Sequence, residues 1–435
     1  MIGSYTATGV VIASMVGTGV FVSLGFQAEK IDSTFALMAL WALGGAYALT
    51  GALCYAELAS RMPRSGGEYN FLSKIYHPSL GFLAGWISVI VGFAAPTAVT
   101  ALAFGQYTQL LNIEINKLNA AIVVILLCGC IHLSQGVIGR GFQNVLTLVK
   151  IVLLIAFIGS FFLLSSSVQP VNLWPSSEDF SAIGTNDFAV AFVFVTYAYS
   201  GWNAAVYCSG DIREARVSVP FALCIGTLVV TVLYLLLNFA FLRSIPFGEI
   251  QTLVNKEEIA ALGGRMLFEE QGEVFVNALI SIGLISTIGA LVFIGPRISQ
   301  TIGTDFKALS FLSRKNAKGI PVNAILLQLA LSILFVVFLE LESLLVYTEF
   351  SLILFSTLTV LGLFVLRIRE KGSSFDGYRA WGFPWTGIFF LAMSGWVLFS
   401  VYDKHPKESN AGLLTILAGL VIYCVVNPKK CDEER

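Results

Sequence analysis

Residues 15–21 read Met15-Val16-Gly17-Thr18-Gly19-Val20-Phe21, and they sit near the middle of an apolar run from about Tyr5 to Phe26. A run of that length can cross a bilayer, since roughly 20 helical residues span the hydrocarbon core. Two glycines one residue apart are poor helix material there, each costing about 1 kcal/mol relative to alanine. Irregular backbone at membrane depth is tolerated only when buried in protein or facing a cavity. One reading is therefore a broken helix that offers bare N–H and C=O groups to a small ionic solute, as transporters use. The other is that small residues let a second helix pack closely. From this stretch alone both stay open.

The composition around it settles the broad class. The chain has 435 residues, 56% hydrophobic and 12% charged, with mean hydropathy +0.81. Globular domains carry about 25% charged residues, so this is a polytopic helical membrane protein. A net charge of −1 gives no reason to expect a nucleic-acid partner. The seven cysteines lie mostly inside apolar runs, which argues against a disulfide framework. The first run is too long and too glycine-interrupted for a cleaved signal peptide, so it reads as a retained first span.

Twelve apolar runs follow one another, at about 5–27, 35–60, 79–111, 118–134, 142–167, 188–209, 219–243, 273–303, 322–340, 344–367, 383–402 and 410–427. Of the 26 Lys and Arg residues, eighteen fall on one side of these runs, seven on the other, and Lys150 lies inside run five. Basic residues favour the cytoplasmic side. The expectation is a multi-pass cell-membrane protein with both termini cytoplasmic and the loop Val168–Asp187 outside. In the second long outer loop, Lys256–Leu267 reads as a short helix.

Run six carries a second interruption near its centre, Thr196-Tyr197-Ala198-Tyr199-Ser200-Gly201-Trp202-Asn203. Runs one and six open two sets of five. Glycine-interrupted segments at corresponding positions of two halves are the best sequence-level pointer to a transporter binding site, and this tips residues 17–19 toward the broken-helix reading.

Between runs two and three stands Tyr55-Ala56-Glu57-Leu58-Ala59-Ser60-Arg61-Met62-Pro63-Arg64-Ser65-Gly66-Gly67-Glu68-Tyr69. Physically it is a helix end at Pro63, a glycine turn and a charged membrane surface. With Gly17-Thr18-Gly19-Val20-Phe21 it resembles the amino acid–polyamine–organocation (APC) superfamily of amino-acid permeases. Tyr199-Ser200-Gly201-Trp202-Asn203 with Gly210-Asp211-Ile212-Arg213 and Val219-Pro220, Asn144 through Lys150, and Gly295-Pro296-Arg297 are similar to the bacterial relatives of the L-type amino-acid transporters. The likeness runs from residue 9 to about 370.

That resemblance implies an all-α membrane fold of twelve transmembrane helices. It would be a five-plus-five inverted repeat of the LeuT type, with helices 1 and 6 discontinuous and two helices appended. The transporter core would be residues 1–370, with 371–435 holding helices 11 and 12 and a short cytoplasmic tail. Gly17 would belong to the binding segment, and amides around Thr18 and Gly19 would take a substrate carboxylate. Carbonyls near Met15, Val16, Tyr197 and Ala198 would take the ammonium. Tyr197 would cover the bound side chain, with Ser200, Gly201, Trp202 and Asn203 in the pocket wall. Each aromatic has packing as its plain alternative in a chain that is 13% aromatic.

Lys150 lies about two turns inside run five. A charge there costs about 2.5–3.5 kcal/mol on insertion scales and needs a partner or a cavity, unless its stem snorkels to the surface. In the family a lysine here reaches the start of run one, where sodium-coupled relatives hold a cation, and Ser286 and Thr287 of run eight would face the same place. The expected function is secondary transport of amino acids by alternating access without sodium, with protons as a candidate coupling ion and no cofactor or metal. Neutral amino acids are favoured because Glu57, Asp187 and Glu349 read as lying toward span ends. Cationic amino acids or polyamines are the alternative. An enzyme is disfavoured by the scatter of His77, His132 and His405 and the lack of any paired intramembrane acids. No phosphate-binding Gly-Lys loop exists for ATP, and nothing repeats like a channel filter.

Overall fold

The protein is described here as a computed structural model, covering residues 2–111, 114–134, 136–165, 168–177, 179, 183–253, 259–339, 341–370 and 375–426. Among these residues every regular element is helical, and the lone β-bridge joins Ile2 to Ile212. A helix satisfies its own backbone donors and acceptors within one segment, the requirement that apolar surroundings impose. Among the described residues, ten helical stretches are long and apolar enough to cross a membrane. Two shorter apolar helices, Asp187–Tyr199 and Val322–Phe338, fall on runs six and nine.

In chain order the helices are α1 (Ser4–Met15), α2 (Gly19–Ala28), α3 (Thr34–Arg61), α4 (Glu68–Ile75), α5 (Pro78–Ile87), α6 (Ala95–Leu110), α7 (Lys117–Ser134), α8 (Gly136–Leu164), α9 (Asn186–Tyr199), α10 (Ala204–Tyr207), α11 (Ala215–Ser244), α12 (Phe247–Thr252), α13 (Ile259–Ile294), α14 (Pro296–Asp305), α15 (Val322–Phe338), α16 (Leu341–Arg369), α17 (Trp385–Lys404) and α18 (Pro406–Val426). A π-helical stretch, Ser88–Ala94, joins α5 to α6. Local chemistry sets several ends. Ser33 caps α3 by accepting from Ala36 N at 3.0 Å. Thr185 does the same for α9 from Phe188 N at 3.2 Å. Each cap satisfies a donor that the first helical turn leaves free.

Helix α11 lies along both α3 and α1, while α13 packs on α6, α7 and α8. Buried aromatics fill the seam of the first group, with Trp41 of α3 meeting Tyr199 and Tyr234 at ring-centroid distances of 6.1 and 5.6 Å. Outside this core, α13 begins at Ile259, so the expected loop helix is seen from there to Leu267, and residues 256–258 lie outside the described set. It runs on into the next apolar stretch across a kink at Phe268 and Glu269.

One end of the bundle is tied by charge. Glu57, fully buried, accepts from Arg61, Arg367 and the Ala380 backbone N–H. Nearby, Arg64 Nη2 and the Tyr69 hydroxyl donate to Asp305 at 2.6 and 2.5 Å, and Arg297 Nε donates to Asp211 at 2.6 Å. Glu57, Arg61 and Arg64, read in sequence as marking the membrane surface, thus join separate helices.

Candidate functional site: two helix ends around one cavity

Helix α1 stops at Met15 and α2 begins at Gly19, leaving Val16, Gly17 and Thr18 between the two helices. Helix α9 stops at Tyr199, and Ser200 to Asn203 turn before α10. The terminal carbonyls of an interrupted helix lack intrahelical donors, so the partners they find are informative. The Tyr234 hydroxyl of α11 lies 2.6 Å from Met15 O and 2.9 Å from Ala198 O, between the ends of α1 and α9. Lys150 of α8 approaches from the other side. Its Nζ donates to Ala13 O at 3.1 Å, Val16 O at 2.6 Å and Thr287 Oγ1 at 2.8 Å. Thr287 Oγ1 is itself 3.0 Å from Val16 O.

The two interrupted segments touch at their glycines. A Cβ on Gly19 would lie 2.5 Å from the Ala198 Cα, and one on Gly201 would lie 2.9 Å from Ser14 backbone and side-chain atoms. Gly201 also has φ of +96°, a left-handed conformation that favours glycine. Gly17 differs, because a Cβ there would make an ordinary 3.4 Å contact with Thr287 Cγ2. Close passage of one helix end over the other is thus what Gly19 and Gly201 permit, a role that sequence reading gave only as the alternative.

A cavity opens at this crossing. Its walls include Met15, Gly17, Thr18, Gly19, Tyr197, Ser200, Gly201, Trp202, Asn203 and Thr287 from the residues singled out in sequence. Val16, Ala198, Lys150 and Ser286 do not line it. Val16 and Lys150 border a separate small apolar cavity with Leu154 and Leu279. Thr287 bonds Lys150 directly, and its neighbour Ser286 is fully buried elsewhere on α13. The Trp202 and Tyr55 rings meet in a T-shaped pair with centroids 4.7 Å apart. Asn203 Nδ2 donates to Glu68 Oε1 at 2.9 Å.

Three contributors escaped sequence reading. Glu68 is 3% exposed, accepting from Tyr55 at 2.8 Å and from Asn203 and Tyr207 as well. Its burial holds the carboxyl above the usual carboxylate range. Tyr234 carried no signal, being one of 14 tyrosines inside or beside apolar runs. Glu349 is the third. Sequence reading put it toward the end of its run, yet it is 3% exposed and lines the cavity with Thr196, Tyr197 and Ser200. An acid within an apolar helix was itself the available signal. Its place on the cavity wall removes one of the grounds on which neutral amino acids were favoured.

These features define a helical membrane protein with an internal cavity where two helix interruptions meet. The chain belongs to the amino acid permease family, whose model matches residues 2–425. It is similar along nearly its whole length to characterised transporters. It is 28% identical over 444 residues to a serine/threonine exchanger of Bacillus subtilis (strain 168), covering 99% of this chain and 98% of that one. It is 27% identical over 435 residues to the human b(0,+)-type amino acid transporter 1, covering 97% and 87%. With the human large neutral amino acids transporter small subunit 2 it shares 27% over 446 residues, covering 97% and 79%. The protein is therefore a multi-pass membrane transporter of amino acids.

Proposed function

We propose that this permease moves amino acids across the cell membrane by alternating access, without sodium, and binds them where the two interrupted helices cross. The observation that carries the reading is the meeting of the α1 and α9 carbonyl ends beside one cavity. A zwitterion needs N–H donors for its carboxylate and C=O acceptors for its ammonium a few ångströms apart. In this reading the amides around Thr18 and Gly19 serve the first and carbonyls at Met15 and Tyr197 serve the second, while Val16 O, held by Lys150 and Thr287, and Ala198 O, held by Tyr234, belong to residues off the cavity wall. Tyr197, Ser200, Gly201, Trp202 and Asn203 wall the side chain.

The same reading takes the chain as twelve membrane crossings in a five-plus-five inverted repeat over residues 1–370. Helices 1 and 6 are the discontinuous ones, the last two helices are appended over 371–435, and both termini are cytoplasmic. Family membership and the order of apolar helices support it. Lys150 stands in for a coupling cation by donating to the α1 carbonyls, with Thr287 beside it and Ser286 on the same helix. A proton remains the candidate coupling ion.

The test is a thermal-shift screen of the purified protein against the common amino acids, followed by uptake of the best binder into proteoliposomes with sodium replaced by choline. Saturable uptake accelerated by unlabelled amino acid on the far side is expected, unchanged by choline. Strict sodium dependence would overturn the role given to Lys150.

A further inference from the structure

Of the carboxylates buried among the described residues, Glu57, Glu68 and Asp179 are each met by donors. Glu57 has two arginines and a backbone N–H, Glu68 has two tyrosines and an asparagine, and Asp179 has Ser33 and Ser176. Glu349 differs. The hydroxyls of Thr196 and Ser200 stand beside its carboxyl, but its Oε1 has no hydrogen-bond partner, and no Lys, Arg or His is among the residues that line the cavity with it. The hydroxyl of Thr196 beside it gives its hydrogen to Val193 O at 2.8 Å. The Tyr47 hydroxyl, also on the cavity wall, is engaged with Ser394 Oγ at 3.0 Å.

An ionised carboxylate in such surroundings is costly unless a cation stands opposite it. The helix ends already offer donors and acceptors for both charges of an amino acid's backbone. That leaves Glu349 over, on a cavity wall it shares with Tyr47 and Tyr197. Aromatic faces suit a cation or its aliphatic stem. We propose that Glu349 is the specificity-determining residue of the cavity, and that the amino acid it selects carries an ammonium or guanidinium side chain that pairs with Oε1. Charge then balances: a zwitterion with one extra positive charge meets one carboxylate, and the loaded cavity is neutral. This rests on the reading that the cavity holds an amino acid by its backbone groups. The same positive charge could come from a proton taken up with a neutral amino acid, and the two sources are separable.

The experiment measures binding by titration calorimetry to the purified full chain, using matched pairs: lysine against norleucine, and arginine against citrulline. Each is run with the wild type, Glu349→Gln and Glu349→Asp, in two buffers of different ionisation enthalpy so that proton uptake is read directly. In the wild type at least one cationic member should bind on the order of 100-fold more tightly than its neutral partner, as for a desolvated charge pair. Glu349→Gln should bring that ratio near one while neutral amino acids still bind. Glu349→Asp should keep the preference in weakened form. Equal binding within pairs, unchanged by either variant, would overturn this proposal and leave the amino-acid reading standing. Neutral amino acids binding with one proton, lost in Glu349→Gln, would also overturn it. Failure of every amino acid to bind the folded wild type would sink both.

Discussion

Replacing Lys150 by methionine keeps most of the stem's volume and removes the ammonium. The structure states what is then lost. Nζ serves Ala13 O, Val16 O and Thr287 Oγ1. Val16 O keeps a donor, because Thr287 Oγ1 stays 3.0 Å away. Ala13 O loses its lysine donor inside the bundle, and an orphaned buried acceptor costs about 1–3 kcal/mol. Removing the ammonium returns part of its own desolvation cost, so net destabilisation should be modest, about 1–2 kcal/mol. If the link is made in only one of the transporter's states, that same energy biases the cycle. At 1.4 kcal/mol per tenfold, uptake should fall roughly 5- to 30-fold. The assay is initial-rate uptake of the best-binding amino acid into proteoliposomes with choline in place of sodium, beside a melting curve of the same preparation. Lys150→Met transporting within about twofold of wild type would refute the argument and leave Lys150 as a packing residue.

Three further outcomes are expected. Gly19→Ala should impair transport strongly and lower the melting temperature, because its Cβ would stand 2.5 Å from the Ala198 Cα, whereas Gly17→Ala, with its nearest contact at 3.4 Å, should stay near wild type; equal uptake by the two variants would count against the crossing geometry. Tyr234→Phe removes one hydroxyl from between Met15 O and Ala198 O and should cost about 1–3 kcal/mol of stability, read as a drop in melting temperature. In intact cells, an impermeant thiol reagent should label a lone cysteine placed at Ser177 and miss one placed at Ser313, and the reverse pattern would invert the proposed orientation.

The apolar runs and the glycine pairs were legible because they are local. A long stretch without charge announces itself, and Gly17–Gly19 and Ser200–Gly201 fall where α1 and α9 end in the structure. What Gly19 is for was not legible, since the atom it must clear belongs to Ala198, far along the chain. Glu68 looked like one more charge on a surface turn, and its burial depends on Tyr55 and Tyr207, brought to it by tertiary packing. Glu349 failed for a related reason. Position along a run says how deep a residue sits, while the face it presents is decided by the neighbours its helix packs against. Tyr234 had no marker at all, because a tyrosine with two acceptors waiting for it reads the same in sequence as one packed among apolar side chains.

The crossing of the two interrupted segments also limits how the molecule can move. With Gly19 pressed on Ala198, Gly201 on Ser14, and one hydroxyl set between both carbonyl ends, the segments have almost no room to slide or twist past one another. Mechanically they behave as a single part with few internal degrees of freedom, and α11, which carries that hydroxyl, is pinned to them. Displacement of this part within the bundle then runs along its outer surfaces, against α3, α17, α8 and α13, and on the last two Lys150 and Thr287 supply contacts that can be exchanged.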